Sequence, residues 1–517
     1  MTNLLTDPVI GIETPDGRQG VNLPRLLAML SDGNVDAYTG QRPHQADVWH
    51  VFTVQLAVSI LARQPNVQSD APPTDPFFWQ DGLLQLSGNN SNAWLLAGDD
   101  VTQPAFFQHP LISKSDLEKS FKPRNPKATT PDELDVLVTA KDHDLKFARF
   151  PNDELEAWMY ALVAYQTTSG FLGAGNYGIA RMNGGFANRP ILSMVQSLHP
   201  ALRFREETAL VFNIRNDLLC SSFGFRPDGM VLTWLTTWNR SEHQYRLNEL
   251  DPLFIETVRA TRLVKSGKGL IALGATSKAR QIGPSSLENG DVGDAWTPIQ
   301  TENKKGRAAL SVSGNGWTSE LVCNLLFEKG YELTPLQKPR KAPSAFWLVG
   351  SALVRGQGKT EGFHRFILPV PPKVQMRLLN RVEKDRLSEL AQQLLKDVRD
   401  IEAALRTAMT VLTEGGPDSP DFNREAVKAW VNGRMQEFRT SWQDRFFPIL
   451  WHSIEIGEEE ARREWLSDLT ARSRERLRES AQLLPLPQTR RYRAIVRSEG
   501  VFGGLLHKRG LIMKEIA

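Results

Sequence analysis

Pro369-Val370-Pro371-Pro372 divides this chain into two unlike parts. Proline fixes φ and lacks an amide proton, so this cluster stops any helix or strand that runs into it. Downstream the pattern is almost purely helical. Leu387, Leu390, Leu394, Val398, Ile401 and Leu405 recur at spacings of three and four, one continuous apolar stripe. Glu414-Gly415-Gly416-Pro417 ends that helix. A second stripe runs through Val431, Met435, Phe438, Trp442 and Phe446. A third holds Trp465, Leu466 and Leu469 and stops near Leu484-Pro485-Leu486-Pro487. A fourth begins near Thr489 and includes Tyr492, Ile495, Val496, Leu505 and Leu506. Four amphipathic helices with short connections predict an antiparallel four-helix bundle over 371–517.

Upstream, residues 1–370 read as a large, irregular, mixed α/β domain, so the fold class is α+β. Turn signals such as Pro15-Asp16-Gly17-Arg18 and Asn239-Arg240-Ser241 punctuate strands, and Met230-Val231-Leu232-Thr233-Trp234 favours sheet. Helices are predicted at about 47–63 and 152–168. Stretches near 122–133 and 281–308 read as loops.

A length of 517 residues, 41% hydrophobic and 23% charged, is ordinary for a globular chain of two or three domains. Net charge is only +3, so any polyanion surface must come from local clustering of the Lys and Arg. Cys220 and Cys323 are the only cysteines, which excludes a disulfide framework or a Cys-rich zinc site and suits a reducing cytoplasm. Met1–Asp7 has no basic n-region and no long apolar run, and no stretch approaches the ~20 apolar residues that span a bilayer. A cytoplasmic protein with no membrane partner is expected.

Just before the proline cluster, Phe346-Trp347-Leu348-Val349 leads to Arg355-Gly356-Gln357-Gly358-Lys359-Thr360. Glycines allow close backbone approach, Gln357 can donate and accept, and the flanking cations suit phosphates. This is a thin finger shaped for a nucleic-acid groove. Gly358-Lys359-Thr360 resembles the end of a phosphate-binding P-loop, but that motif needs glycine where Leu353 stands, and the residues after Thr360 alternate like a strand. An ordinary glycine-rich hairpin is the plainer alternative.

Gly173-Ala174-Gly175-Asn176-Tyr177-Gly178 matches the dinucleotide fingerprint, yet it follows a helical stretch where the fingerprint needs a strand. With Gly170, Gly184 and Gly185 it still permits close approach to a partner, and Arg181 and Arg189 favour one that bears phosphate. Lys141, His143 and Lys146, interleaved with Phe147 and Phe150, suit unpaired RNA. The nine histidines are scattered without metal spacing, and no nucleophile elbow is present, so neither a catalytic site, a metal nor a cofactor is indicated. Along the last two helices crowd Arg472, Arg474, Arg476, Arg478, Arg490, Arg491, Arg493 and Arg497, then Lys508, Arg509 and Lys514, with few acids between them. Such an imbalance suits a polyanion as well as solvent.

Together these pieces resemble the large subunit of type I-E Cascade, the CasA family of CRISPR effector complexes. The resemblance covers essentially the whole chain. It rests on Asn3-Leu4-Leu5-Thr6-Asp7 with Val21-Asn22-Leu23, on Ser169-Gly170-Phe171-Leu172-Gly173, on Gly350–Lys359, and on the terminal bundle. It implies a non-catalytic, cofactor-free subunit that recognises the protospacer-adjacent motif (PAM) of double-stranded target DNA and starts R-loop formation for antiviral defence. Gly170, Phe171 and Gly173 would form the PAM-facing glycine loop, and Gly356, Gln357 and Lys359 the wedge that displaces the first base pair. Lys141, His143 and Lys146 would meet the handle of the guide RNA, and Arg490, Arg491 and Arg493 the DNA at the bundle. The backbone, handle-binding and small Cascade subunits and a helicase-nuclease would be its partners. Lys265, Lys268 and Lys278 are all open for the family's PAM-reading lysine, Lys268 being preferred. The alternatives are a nucleotide-binding enzyme using the Gly-rich loops and a general single-strand-binding scaffold.

Overall fold

The structure is a computed structural model that describes residues 2–65, 69–123, 129–135, 154–171, 173, 175–184, 187–267, 269–283, 289–302, 306–342, 344–356, 359–417, 420–484 and 487–511. It divides into two compact units: Met1–Trp317 with Glu328–Val370, and Thr318–Phe327 with Pro371–Ala517. Among the described residues, no helix is long and apolar enough to cross a membrane.

The first unit is built around two helices that are buried on nearly every side, Pro43–Leu61 and Leu155–Thr168. Both bury residues on all sides, the first including the paired polar side chains His44 and Asp47, which suits a helix enclosed by other elements better than one with a wet face. Pro43 starts the first helix at a position where its missing N–H is no loss. Its many β-branched residues then stay helical because burial outweighs propensity. The aromatic side chains of Trp49 and Tyr160 meet edge to face between the two helices, with ring centroids 5.0 Å apart. Phe52, Phe106, Phe107 and Trp234 extend this core, Phe107 stacking on Trp234 at 4.5 Å.

Small sheets surround that core. The amino-terminal hairpin pairs Ile10–Thr14 with Gly17–Val21 around the expected turn. Ala260–Ser266 pairs antiparallel with Gly269–Ala275, from Ala260 opposite Ala275 to Ser266 opposite Gly269. The longest hairpin joins Phe346–Gly356 to Lys359–Val370, and Ile191–Val195 pairs with its inner strand over Trp347–Ser351 only. Past Ser351 the hairpin continues as two strands.

The second unit is the four-helix bundle: Arg381–Thr413, Glu425–Ile456, Glu458–Gln482 and Gln488–Lys508. Arg439 reaches Glu402 at 2.8 Å and Arg406 reaches Asn432 at 2.7 Å, so the first two helices run antiparallel. The first two apolar stripes are buried throughout. In the third, Trp465 and Leu469 are buried, and the Trp465 indole donates to the Leu394 carbonyl at 3.1 Å.

The fourth helix departs from the sequence reading. Tyr492 is 73% exposed and Val496 50%, while Ala494, Ser498, Phe502 and Leu506 point inward. The inner row is set by close approach: a Cβ on Gly416, in the first interhelix connection, would lie 3.1 Å from the Ala494 Cα. A small residue is needed there, and that fixes which face turns in. Thr318–Phe327 belongs to this unit as well. Its helix buries Val322, Cys323, Leu325 and Leu326, and the Ser319 hydroxyl donates to Gln443 Oε1 at 2.7 Å.

Candidate nucleic-acid interface

The helix Leu155–Thr168 delivers the chain into a closed glycine loop. Ile179 N–H donates to the Ser169 carbonyl at 3.2 Å, which brings the two arms together. Where they cross, a Cβ on Gly178 would lie 3.2 Å from the Gly170 Cα. The buried Arg259 guanidinium donates to the carbonyls of Gly170 and Tyr177, one from each arm. Glu256, also buried, accepts the Ala180 N–H at 2.8 Å. Burial pushes the Glu256 carboxyl up from its ordinary value, against the pull of Arg181.

The loop rests against the segment after the Ala260–Ala275 hairpin. Ser277 N–H donates to the Gly175 carbonyl at 2.9 Å, and a Cβ on Gly175 would lie 2.6 Å from the Thr276 Cβ. Gly175 and Gly178 are therefore required by packing within the chain, which accounts for the match to a dinucleotide fingerprint without any dinucleotide. Gly173 differs. Its φ is +103°, and among the described residues nothing lies within 4 Å of where a Cβ would stand. The loop presents open backbone there, with Phe171 and Tyr177 as a ring pair 6.2 Å apart.

An exposed cation stands beside this loop. Lys278 is exposed, its N–H donates to the Arg240 carbonyl at 2.6 Å, and its ammonium has no carboxylate partner among the described residues. Of the other two candidate lysines, Lys265 is paired with Asp99 at 3.0 Å, and Lys268 lies outside the described residues. Its neighbour Gly269 is six residues along the strand from Ala275, on the order of 20 Å at the usual rise.

Along the hairpin Phe346–Val370 the register shifts between Val354 and Arg355, so that Val354 faces Gly362 while Arg355 faces Thr360. Such a bulge bends and twists a ribbon. Gly356 pairs with Lys359, and Gln357 and Gly358 between them lie outside the described residues. Lys359 and Thr360 are in a strand, whereas a P-loop needs them to open a helix. The hairpin is held from below. Arg365 Nε donates to Asp47 at 3.1 Å, and Asp47 also accepts from Arg203 at 2.6 Å. Burial alone would raise the Asp47 carboxyl, but Arg203 and Arg365 outweigh it and hold it below the ordinary carboxylate range.

The Phe363 ring lies 6.2 Å from His44, and both oxygens of Asp135 face His44 Nε2 at 2.8 Å. Asp135 is the last described residue before 136–153, the segment that contains Lys141, His143 and Lys146, which all lie outside the described residues. Asp135 and the outer hairpin strand thus meet at His44.

Two groups of cations are corrected. Arg181 and Arg189 are no phosphate ligands, because both are buried. Arg189 forms a two-bonded pair with Asp294 at 2.7 and 3.0 Å, and Arg181 lies over the Phe254 ring at 3.7 Å. On the bundle, Arg472 pairs with Asp468 and Arg476 with Glu479. Arg491 donates to the Leu484 carbonyl at 2.9 Å, a brace on the preceding turn. Arg490 and Arg493 remain exposed with no carboxylate partner among the described residues. Sequence reasoning missed Arg259 altogether, since a lone arginine before a strand carries no signal of where it points.

No protein-family model matches the chain, and no curated protein does. Solved structures do. Thermus thermophilus CasA (Cse1) superposes with a TM-score of 0.61 at 15% identity, over 98% of this chain and 99% of its own. The CRISPR-associated protein Cse1 of Acidimicrobium ferrooxidans gives 0.62 at 14% identity, over 98% of both chains. Thermobifida fusca Cse1 gives 0.61 at 14%, over 99% and 98%. The chain has the CasA/Cse1 fold. The likeness takes in the mixed α/β unit and the helical unit alike, so the CasA/Cse1 fold accounts for nearly every residue.

Proposed function

We propose that this chain is a CasA-type large subunit of a type I-E Cascade, an RNA-guided surveillance complex. It recognises the PAM of double-stranded target DNA without catalysis of its own. The observation that carries this reading is the glycine loop: open backbone at Gly173, braced from behind and flanked by Lys278, which has no carboxylate partner among the described residues. Such a loop can enter a groove that any side chain would block. Minor-groove edges are nearly degenerate, so recognition there is permissive, which suits a subunit that leaves the long sequence to guide RNA.

In this reading Phe171 and Gly173 meet the PAM, Gly170 is corrected to a buried brace behind them, and Lys278 replaces Lys268 as the adjoining cation. Gln357, carried between Gly356 and Lys359 at the end of the hairpin, wedges beneath the first target base pair. Lys141, His143 and Lys146 contact the guide-RNA handle. Arg490 and Arg493 serve DNA at the bundle, which also meets the small subunits and helps to recruit the helicase-nuclease.

The test is Gly173→Asp in the reconstituted complex with guide RNA. The variant places a carboxylate on the face that approaches phosphates; the space around it is free, but φ of +103° strains any side chain there, so Gly173→Ala is run beside it and should keep more of the preference than Gly173→Asp. Preference among target duplexes that differ only in the flanking motif should disappear while the complex still assembles. Preserved preference would remove the loop from the model. A saturable ATP or NAD site on the isolated chain would instead favour the enzyme alternative.

A further inference from the structure

We infer that Arg259 is the positioning residue that holds the glycine loop in its DNA-competent shape, an inference that rests on reading the loop as the duplex contact. Arg259 is 1% exposed, so it acts on DNA only through the loop. Its guanidinium is a rigid planar fork of donors. The fork spans two carbonyls from opposite arms, Gly170 and Tyr177, on either side of the open Gly173.

The fork is itself held in place. Arg259 N–H donates to Gln166 Oε1 at 2.7 Å, and Gln166 Nε2 donates back to the Arg259 carbonyl at 3.0 Å and to the Phe107 carbonyl at 3.0 Å. Gln166 belongs to the buried helix that launches the loop, so the grip is referred to the core. Three residues before Arg259, Glu256 takes the Ala180 N–H as the loop leaves. One short segment therefore grips the loop behind its tip and leaves the tip free. Without the fork, two carbonyls lose their donor and must find water, which draws the arms apart. Lysine offers a point charge without the planar fork, so it restores the grip only in part.

The experiment compares wild type, Arg259→Met and Arg259→Lys in the reconstituted complex with guide RNA. The probe is a target-duplex pool randomised at the base pairs flanking the guide-complementary stretch. The readouts are the enrichment of the best-bound flank over the median, affinity for unrelated duplex, thermal midpoint, and amide exchange over 169–179. Arg259→Met should lower the enrichment about tenfold, the equivalent of about 1.4 kcal/mol. Affinity for unrelated duplex should hold, loop amides should exchange faster, and Arg259→Lys should fall between.

A folded Arg259→Met complex with unchanged enrichment overturns the proposal, as does an equal loss of specific and unrelated binding. If Arg259→Met does not assemble, Arg259→Lys decides: wild-type enrichment refutes the fork, and an intermediate value supports it. Gly173→Asp run alongside separates the two levels. If it keeps its enrichment, the loop is not the duplex contact. If it loses enrichment while both Arg259 variants keep theirs, only the positioning role fails.

Discussion

Replacing Lys278 by alanine should cost motif discrimination, and replacing Lys268 should not. The difference comes from the hairpin register. Lys278 follows Ser277, whose amide is bonded to the glycine loop, and its own amide is fixed on Arg240. Two backbone anchors leave only side-chain freedom to be lost on contact. Lys268 lies outside the described residues, and its described neighbour Gly269 is on the order of 20 Å from Ala275 along the strand. A hydrogen bond from a charged donor contributes roughly 1.5–3 kcal/mol, so losing it should weaken binding of the preferred duplex roughly 10- to 150-fold. Fluorescence anisotropy of the assembled complex on preferred and scrambled flanks, at several salt concentrations, measures this directly. If Lys278 contacts only phosphate, both duplexes should weaken alike and the logarithmic salt slope should become shallower by about 0.9. Discrimination lost in Lys268→Ala and kept in Lys278→Ala would refute the placement of the cation.

Further predictions concern the supports and the wedge. Asp47→Asn removes Arg365's counter-charge and leaves Arg203 with Glu207 alone, so it should destabilise the chain by roughly 1–3 kcal/mol in urea and speed amide exchange at Phe363–Arg365. No change in either would mean that the hairpin is held elsewhere. Asp47, Glu207 and Asp294 all resist the rise that burial would cause and sit below the ordinary carboxylate range, because Arg203 and Arg365, Arg203 and His50, and Arg189 and Arg181 face them. Their stabilisation is full above the ordinary values near pH 4 and drains away as pH falls below them. Urea midpoints should therefore drop steeply under about pH 4, less so in Asp294→Asn, and a flat profile would contradict the ion-pair assignments. Arg490→Glu with Arg493→Glu should lower DNA retention and flatten its salt dependence, whereas Arg491→Ala should lower the melting temperature instead. Gln357→Ala should reduce base-pair opening, read by a fluorescent base analogue at the first target position, more than it reduces unspecific DNA binding. Equal losses would count against a wedge.

What could be read from sequence was whatever repeats locally. The bundle's first two stripes follow helical spacing, so Leu394 or Trp442 could be assigned inward without knowing any neighbour. Alternation in Phe363–Phe366 gave the outer hairpin strand for the same reason. The fourth helix defeated that logic because its inner face begins with Ala494 and Ser498, small residues of low hydropathy, Ala494 lying against Gly416. Hydropathy ranks Tyr492 and Val496 above them. Arg181 and Arg189 looked like surface cations because Asp294, which neutralises Arg189, is 105 residues away in sequence. Lys278 and Arg259 gain their importance only from the hairpin register that brings their segments against the loop. The order of the glycines was visible in advance. Which one stays uncovered was decided by tertiary contacts at Gly175 and Gly178.

The short helix Ser319–Leu326, lodged with the bundle, makes the chain pass between its two units at three places rather than one. A truncation beginning at Pro371 would deprive the bundle of Val322, Cys323, Leu325 and Leu326, and leave their seats bare to solvent. Proteolysis after Val370 would likewise fail to release a finished piece.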